Sequence, residues 1–191
     1  RTKLGLDERP IVAVFTSSSD ETVAFPERRA GAFPEPADFM PAVLDYARTR
    51  PDVQFVIRIH PNVSSIVGTN QQEMEHALAM KTQAPANVVV VMPKDDVSSY
   101  TLADIASAGV VYASTIGLEM ACTGLPVVVT AQSTWVHAGF AERVWEPEHF
   151  GAAIGRALEK GRQPDIARMA MRWAVHFFKH WAMPFRQVIE E

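Results

Sequence analysis

Cysteine is almost absent from this 191-residue chain: Cys122 stands alone. No internal disulfide can form, so a reducing compartment, the cytoplasm, is the expected location. Net charge is sparse too. Eighteen Lys and Arg against 22 Asp and Glu leave a formal charge of -4. Such a chain has no global pull toward nucleic acid or anionic lipid, and any phosphate it binds must be held by local groups. Long apolar runs are also missing; none approaches the roughly 20 residues that a membrane-spanning helix needs. Repeats and low-complexity tracts are absent. What is present is 48% hydrophobic residues with 21% charged ones, enough for a core that removes roughly 70% of the unfolded surface from water.

The apolar residues fall into strand-length runs separated by helix-period segments. Ile11–Thr16, Val53–His60, Asn87–Met92, Val110–Ala113 and Pro126–Thr130 are rich in Val, Ile and Phe and alternate little, the pattern of strands buried on both faces. Helical stripes lie between them: Phe39, Met40, Val43, Leu44 and Ala47; Met74, Ala77 and Leu78; Leu102, Ile105 and Ala106; Met120 and Ala121. Two more helices, Pro147–Lys160 and Pro164 to about Trp181, follow the last strand. Strand–helix alternation predicts an α/β fold in three layers, with a mostly parallel sheet of five or six strands and helices on both faces. Phe25–Pro36 holds three prolines and reads as a surface loop.

Three parts are expected. Residues 1–10 read as a linker from an upstream domain, 11–163 as the α/β domain, and 164–191 as an amphipathic helix. That helix places Ile166, Met169, Ala170, Trp173, Phe177 and Trp181 on one face and Arg168, Arg172, His176 and Lys179 on another. Its apolar face is expected to pack on this or a partner domain, the commoner fate of such helices; peripheral contact with an anionic membrane is the alternative.

Ligands of open parallel sheets collect beyond the carboxyl ends of the strands. After the first strand comes Thr16-Ser17-Ser18-Ser19-Asp20-Glu21, whose hydroxyls suit phosphate or sugar and equally suit a capped turn. After the second comes Arg58-Ile59-His60-Pro61-Asn62. Alternation puts Arg58 and His60 on one side, and Pro61 ends the strand at once; the competing reading is a strand-end His satisfied by a carbonyl. After the fourth comes Ser114-Thr115-Ile116-Gly117-Leu118-Glu119. Here Ser114 and Thr115 open a helix, Gly117 would let a ligand approach, and Glu119 could accept both hydroxyls of a ribose; an ordinary capped helix with a surface Glu is the alternative. Pro93 and Lys94, after the third strand, could flank a nucleobase. Asp95-Asp96 is one carboxylate pair, fewer than hard-cation sites need, so a turn with an Asp or Ser cap is expected and no metal.

Together, Val14 through Glu21, Arg58 through Asn62, Pro93 through Leu102 and Ser114 through Glu119 resemble the carboxyl-terminal domain of capsule polysaccharide biosynthesis glycosyltransferases. These have the two-Rossmann-domain architecture called GT-B. The resemblance covers roughly Leu4 to Trp135. It implies a Rossmann-like domain that binds a nucleotide sugar without a metal or other cofactor, and a polysaccharide or glycolipid acceptor bound by a separate amino-terminal domain, which also brings the catalytic base. His60, Ser114 and Thr115 would hold the donor phosphate, with Arg58, Ser17 and Ser18 beside them, and Glu119 would take the ribose. A His-Pro turn with a Ser/Thr pair also resembles enzymes using CMP- or CDP-linked donors, while UDP and GDP stay open. One departure is Ser107-Ala108-Gly109, where such proteins usually carry an acidic residue. Two rival readings share the architecture: a sugar-nucleotide 2-epimerase, which prefers a Gly-rich turn where this chain has Ser114-Thr115-Ile116, and a non-catalytic interaction domain of a polysaccharide assembly complex.

Overall fold

The structure is a computed structural model that describes residues 1–17, 26–36, 38–64 and 71–181. Six parallel strands form one sheet: β1 (Ile11–Phe15), β2 (Gln54–Arg58), β3 (Val88–Val91), β4 (Ala108–Val111), β5 (Val127–Val129) and β6 (Glu142–Arg143). Their order is β3-β2-β1-β4-β5-β6. The chain winds outward in one direction as far as β3, then crosses back to β4 beside β1. That reversal opens a crevice at the carboxyl ends of β1 and β4.

The expected strands are all present, with shifted bounds. The fourth starts at Ala108 rather than Val110 and stops at Val111; the sixth is a two-residue edge strand that no apolar run announces. The run in β1 explains itself physically. Val12 and Val14 pack with α1 (Phe39–Thr49), while Ile11, Ala13 and Phe15 pack with α3 (Ser99–Ile105). Both faces are covered, so every position is apolar.

The helices divide accordingly. α1 and α5 (Phe150–Lys160) supply Phe39, Val43, Phe150 and Ile154 to one core layer, with α2 (Gln71–Gln83) adding Ala77 and Met80. α3 and α4 (Ile116–Cys122) contribute Leu102, Leu118 and Met120 to the other, joined by Ile166 and Ala170 of α6 (Pro164–His176). The late helix therefore packs on this domain, against α4, and each fully buried aliphatic side chain there contributes roughly 1.5–3 kcal/mol. Past His176 it continues as a π-helical turn, Phe177–Trp181. Met169 is more exposed than its place in the stripe implied, at 39%.

One expectation needs correction. Phe25–Pro36 is not simply a surface loop: Ala32 and Phe33 are buried, and Phe33 meets Phe150 edge-on at 5.6 Å. The Tyr112 hydroxyl also donates to the Pro34 carbonyl at 2.9 Å. Prolines shape the segment, but its aromatic closes the core over β5. Residues 1–10 pack on the domain, with Leu6 buried and the Asp7 amide donating to Gln54 Oε1 at 3.1 Å. The Ser107 departure sits at the opposite edge from the crevice, where its amide donates to the Ile11 carbonyl at 2.7 Å.

Candidate functional site

β1, β2 and β4 end level with one another. Phe15 is registered with Arg58 on one side and Val111 on the other. The loops leaving these strands therefore start at one height and enclose a cavity of about 250 Å³. Phe15, Thr16, Arg58, His60 and Pro61 line it from one side; Ser114, Thr115, Ile116 and Glu119 line it from α4 and its approach. Ser99 and Tyr100, on the first turn of α3, complete the wall.

Arg58 is the charge at its floor. The residue is only 7% exposed. Its guanidinium donates to the Met92 and Pro93 carbonyls, and its Nε has no hydrogen-bond partner. Burial pushes its pKa down from the usual guanidinium value, and the nearby Asp95 carboxylate opposes that. A buried cation with an orphaned donor beside a cavity favours an anionic occupant.

His60 is held from two sides. Its backbone amide donates to Thr16 Oγ1 at 2.9 Å, and its Nδ1 accepts from the Asn62 amide at 3.2 Å. Since an amide can only donate, the neutral imidazole carries its proton on Nε2. Pro61 makes this possible by turning the chain into the short 3-10 helix Pro61–Ser64, which brings Asn62 back under the ring. Across the cavity, Ser114 is half-buried and Thr115 exposed. The Ser114 carbonyl accepts from the Gly117 amide and that of Thr115 from the Glu119 amide, so both hydroxyl residues sit at the start of α4.

Among the described residues, Glu119 is the one acidic residue on the cavity wall. The Tyr100 phenol interacts with it by hydrogen bonding and through its charge, which together raise the Tyr100 pKa.

Five expected site residues, Arg58, His60, Ser114, Thr115 and Glu119, meet here. Ser17 is buried just behind Thr16 with an unpartnered Oγ, but does not line the cavity; Ser18 lies outside the described residues. Gly117 needs correction. A Cβ there would lie 2.7 Å from the Trp135 ring and 2.9 Å from Val111, so its bare face admits the core indole, not a ligand. Pro93 and Lys94 stand off the cavity wall. Pro93 is buried and offers its carbonyl to Arg58, while Lys94 is exposed, and neither lines the cavity. Six residues further on, Ser99 and Tyr100 take that place. The Ser98 side chain caps α3 by accepting from the Thr101 amide at 3.3 Å, and that cap in the sequence is the signal that could have put Tyr100 on a helix start facing the crevice. Asp95 accepts from the Met92 amide at 2.8 Å within the turn after β3, and Asp96 pairs with Lys3 from the start of the chain at 2.7 Å.

Comparison with known proteins adds the decisive observation. Residues 14–150 match the model of the family described as capsule polysaccharide biosynthesis protein. The chain belongs to that family. No curated protein is similar enough in sequence to count as a relative. Among solved structures, UDP-GlcNAc 2-epimerase from Neisseria meningitidis bound to UDP-GlcNAc aligns with 86% of this chain and 39% of its own, at TM-score 0.55 and 18% identity. The corresponding epimerase of Methanocaldococcus jannaschii, in complex with UDP-GlcNAc and UDP, aligns with 89% and 46% at TM-score 0.54 and 15% identity. Spinosyn rhamnosyltransferase SpnG complexed with thymidine diphosphate aligns with 90% and 42% at TM-score 0.51 and 13% identity. These likenesses establish the Rossmann-like fold shared by GT-B transferases and epimerases, and the capsule-family domain spans less than half the length of each.

Proposed function

We propose that this capsule-family domain binds the nucleotide sugar donor of a glycosyltransferase that builds bacterial capsule or another surface polysaccharide. One observation carries the reading: at the point where strand order reverses, a single cavity is lined by a buried arginine, a histidine, two hydroxyl residues and a carboxylate. In this reading Arg58, the His60 Nε2 proton and the Ser114 and Thr115 hydroxyls donate to the donor phosphate. A ribose diol donates to Glu119. The match to ligand-bound relatives of the same fold supports a nucleotide in this crevice without identifying it. A CMP- or CDP-linked donor and metal-independent transfer are the form we favour, with Arg58 supplying charge at the phosphate.

Acceptor binding and the catalytic base would come from a second domain closing over the cavity, and the location we propose is the cytoplasm, at the inner face of the membrane. Closure matters physically because transfer to an acceptor rather than to water needs water excluded and both substrates oriented. Titrating the protein with CMP, CDP, UDP and GDP tests donor binding; a scaffold domain binds none. Donor consumption with and without acceptor separates the reaction classes. A transferase consumes donor only with an acceptor present, whereas an epimerase converts it alone. The epimerase reading keeps one structural point in its favour, since the fold is common to both classes.

A further inference from the structure

We propose that the outward face of α6, with the π-helical turn after it, docks this domain on an anionic lipid surface. The inference gives a contact surface to the membrane location proposed above and does not depend on the donor site. α6 already buries one face. Ile166 and Ala170 are buried, and Trp173 and Ala174 pack partly against the layer that α3 and α4 supply. A helix that covers a core on one side is expected to be polar on the other. This one is not. At about 100° per residue, Val175 stands opposite Ile166, and Met171 about 140° from it. Met171 and Val175 are 53% and 52% exposed, and Phe178, in the turn that follows, is 60% exposed. Phe178 is held there by Phe177 at 5.1 Å, which stacks on Trp173 at 4.9 Å. The second apolar face is thus presented by a fixed element, yet nothing in the core requires it.

Charge decides what covers it. Residues 166–181 contain Arg168, Arg172 and Lys179 and no Asp or Glu, in a chain whose formal charge is -4. Arg168 pairs with Asp165 at the start of the helix. Arg172 and Lys179 are exposed, and among the described residues no carboxylate pairs with either. Arg172 and Val175, three apart on the helix, are surface neighbours, so cation and apolar side chain share one side. Interfacial helices use this arrangement, with apolar side chains at the acyl boundary and cations at the level of the headgroups. Long Arg and Lys stems lie along the apolar surface while their charged ends reach headgroup phosphates. A second copy docked face to face would instead bring Arg172 and Lys179 against their own like. On an otherwise acidic chain, the cationic face also fixes which side turns to an anionic membrane.

The test is co-sedimentation with vesicles of phosphatidylcholine alone and of phosphatidylcholine mixed with phosphatidylglycerol. Three proteins are compared: wild type, Arg172→Gln combined with Lys179→Gln, and Met171→Ser combined with Val175→Ser and Phe178→Ser. Wild type is expected to bind the anionic vesicles at least about tenfold more tightly than the neutral ones, with the difference shrinking as salt rises. The charge variant should lose about twentyfold on anionic vesicles, at about fivefold for each cation. The apolar variant should also lose at least about tenfold, because binding scales with inserted apolar area as well as charge. All five changed side chains are exposed, so melting temperatures should match wild type. Wild type that stays in solution with both kinds of vesicle overturns the proposal, as does an apolar variant that binds like wild type. A wild-type dimer in light scattering that the apolar variant loses, with no vesicle binding, overturns it in favour of a second copy. Nucleotide titration of the same proteins reads the donor site separately: affinity retained in all three leaves that reading standing whatever the vesicles show.

Discussion

The backbone amide of His60 donates to the Thr16 side-chain oxygen at 2.9 Å, joining the exits of two neighbouring strands. Thr16 in turn donates its own amide to the Arg58 carbonyl at 3.1 Å. The residue after β1 therefore sets where the imidazole after β2 stands. Thr16→Val keeps the shape and removes the acceptor. Nucleotide affinity is expected to fall about three- to tenfold, with a stability loss of about 1 kcal/mol, since a nearly buried amide loses its partner. Parallel titration and denaturant unfolding would check both; unchanged affinity would mean that His60 is held without Thr16.

Arg58 combines two duties, bracing the loop after β3 and lending charge to the cavity. Arg58→Met preserves length and removes the charge, and nucleotide affinity should drop at least about tenfold. Arg58→Lys should recover only part of the loss, because one ammonium cannot reproduce a planar fork that reaches two carbonyls and a ligand. Equal affinity in Arg58→Met and wild type would remove the arginine from the site.

Gly117 shows what sequence alone conveyed and what it did not. The order of elements, the three layers and the meeting of Arg58, His60, Ser114, Thr115 and Glu119 were legible, because parallel-sheet topology forces the loops after β1, β2 and β4 to one edge. What a glycine faces was not legible, because it depends on Trp135, eighteen residues downstream and delivered by an irregular loop. Tyr100 was overlooked for a related reason: the packing of α3 beside the crevice brings it to the wall, a juxtaposition that no local pattern records. The short β6 was hidden because Glu142 and Arg143 carry no apolar signature.

The glycine makes a stability prediction. In Gly117→Ala the new methyl must displace the Trp135 indole or Val111, and such overpacking costs about 1–3 kcal/mol. For a domain of this size the melting temperature should drop by roughly 2–12 °C. Combining it with Trp135→Leu, which vacates the contact, should make the two effects less than additive. A Gly117→Ala protein as stable as the parent would contradict the packing.

Tyr112 offers a pH signature. Burial pushes its phenol up to about 12, against about 10 in an unfolded chain. The folded state thus holds the proton more tightly, so the contribution is complete below about pH 10 and lost as pH rises toward 12. Unfolding measured across that window should show stability falling, and Tyr112→Phe should flatten the decline. Identical slopes in both proteins would show that the phenol titrates as in water.

The most direct measurement is titration of wild type, His60→Ala and Ser114→Ala with the nucleoside phosphate that wild type binds best. Each substitution removes a proposed donor to phosphate and should weaken binding by about 1.5–3 kcal/mol, or about ten- to a hundredfold. Variants that bind as tightly as wild type would place the phosphate elsewhere and end the case for a donor site between β1 and β4.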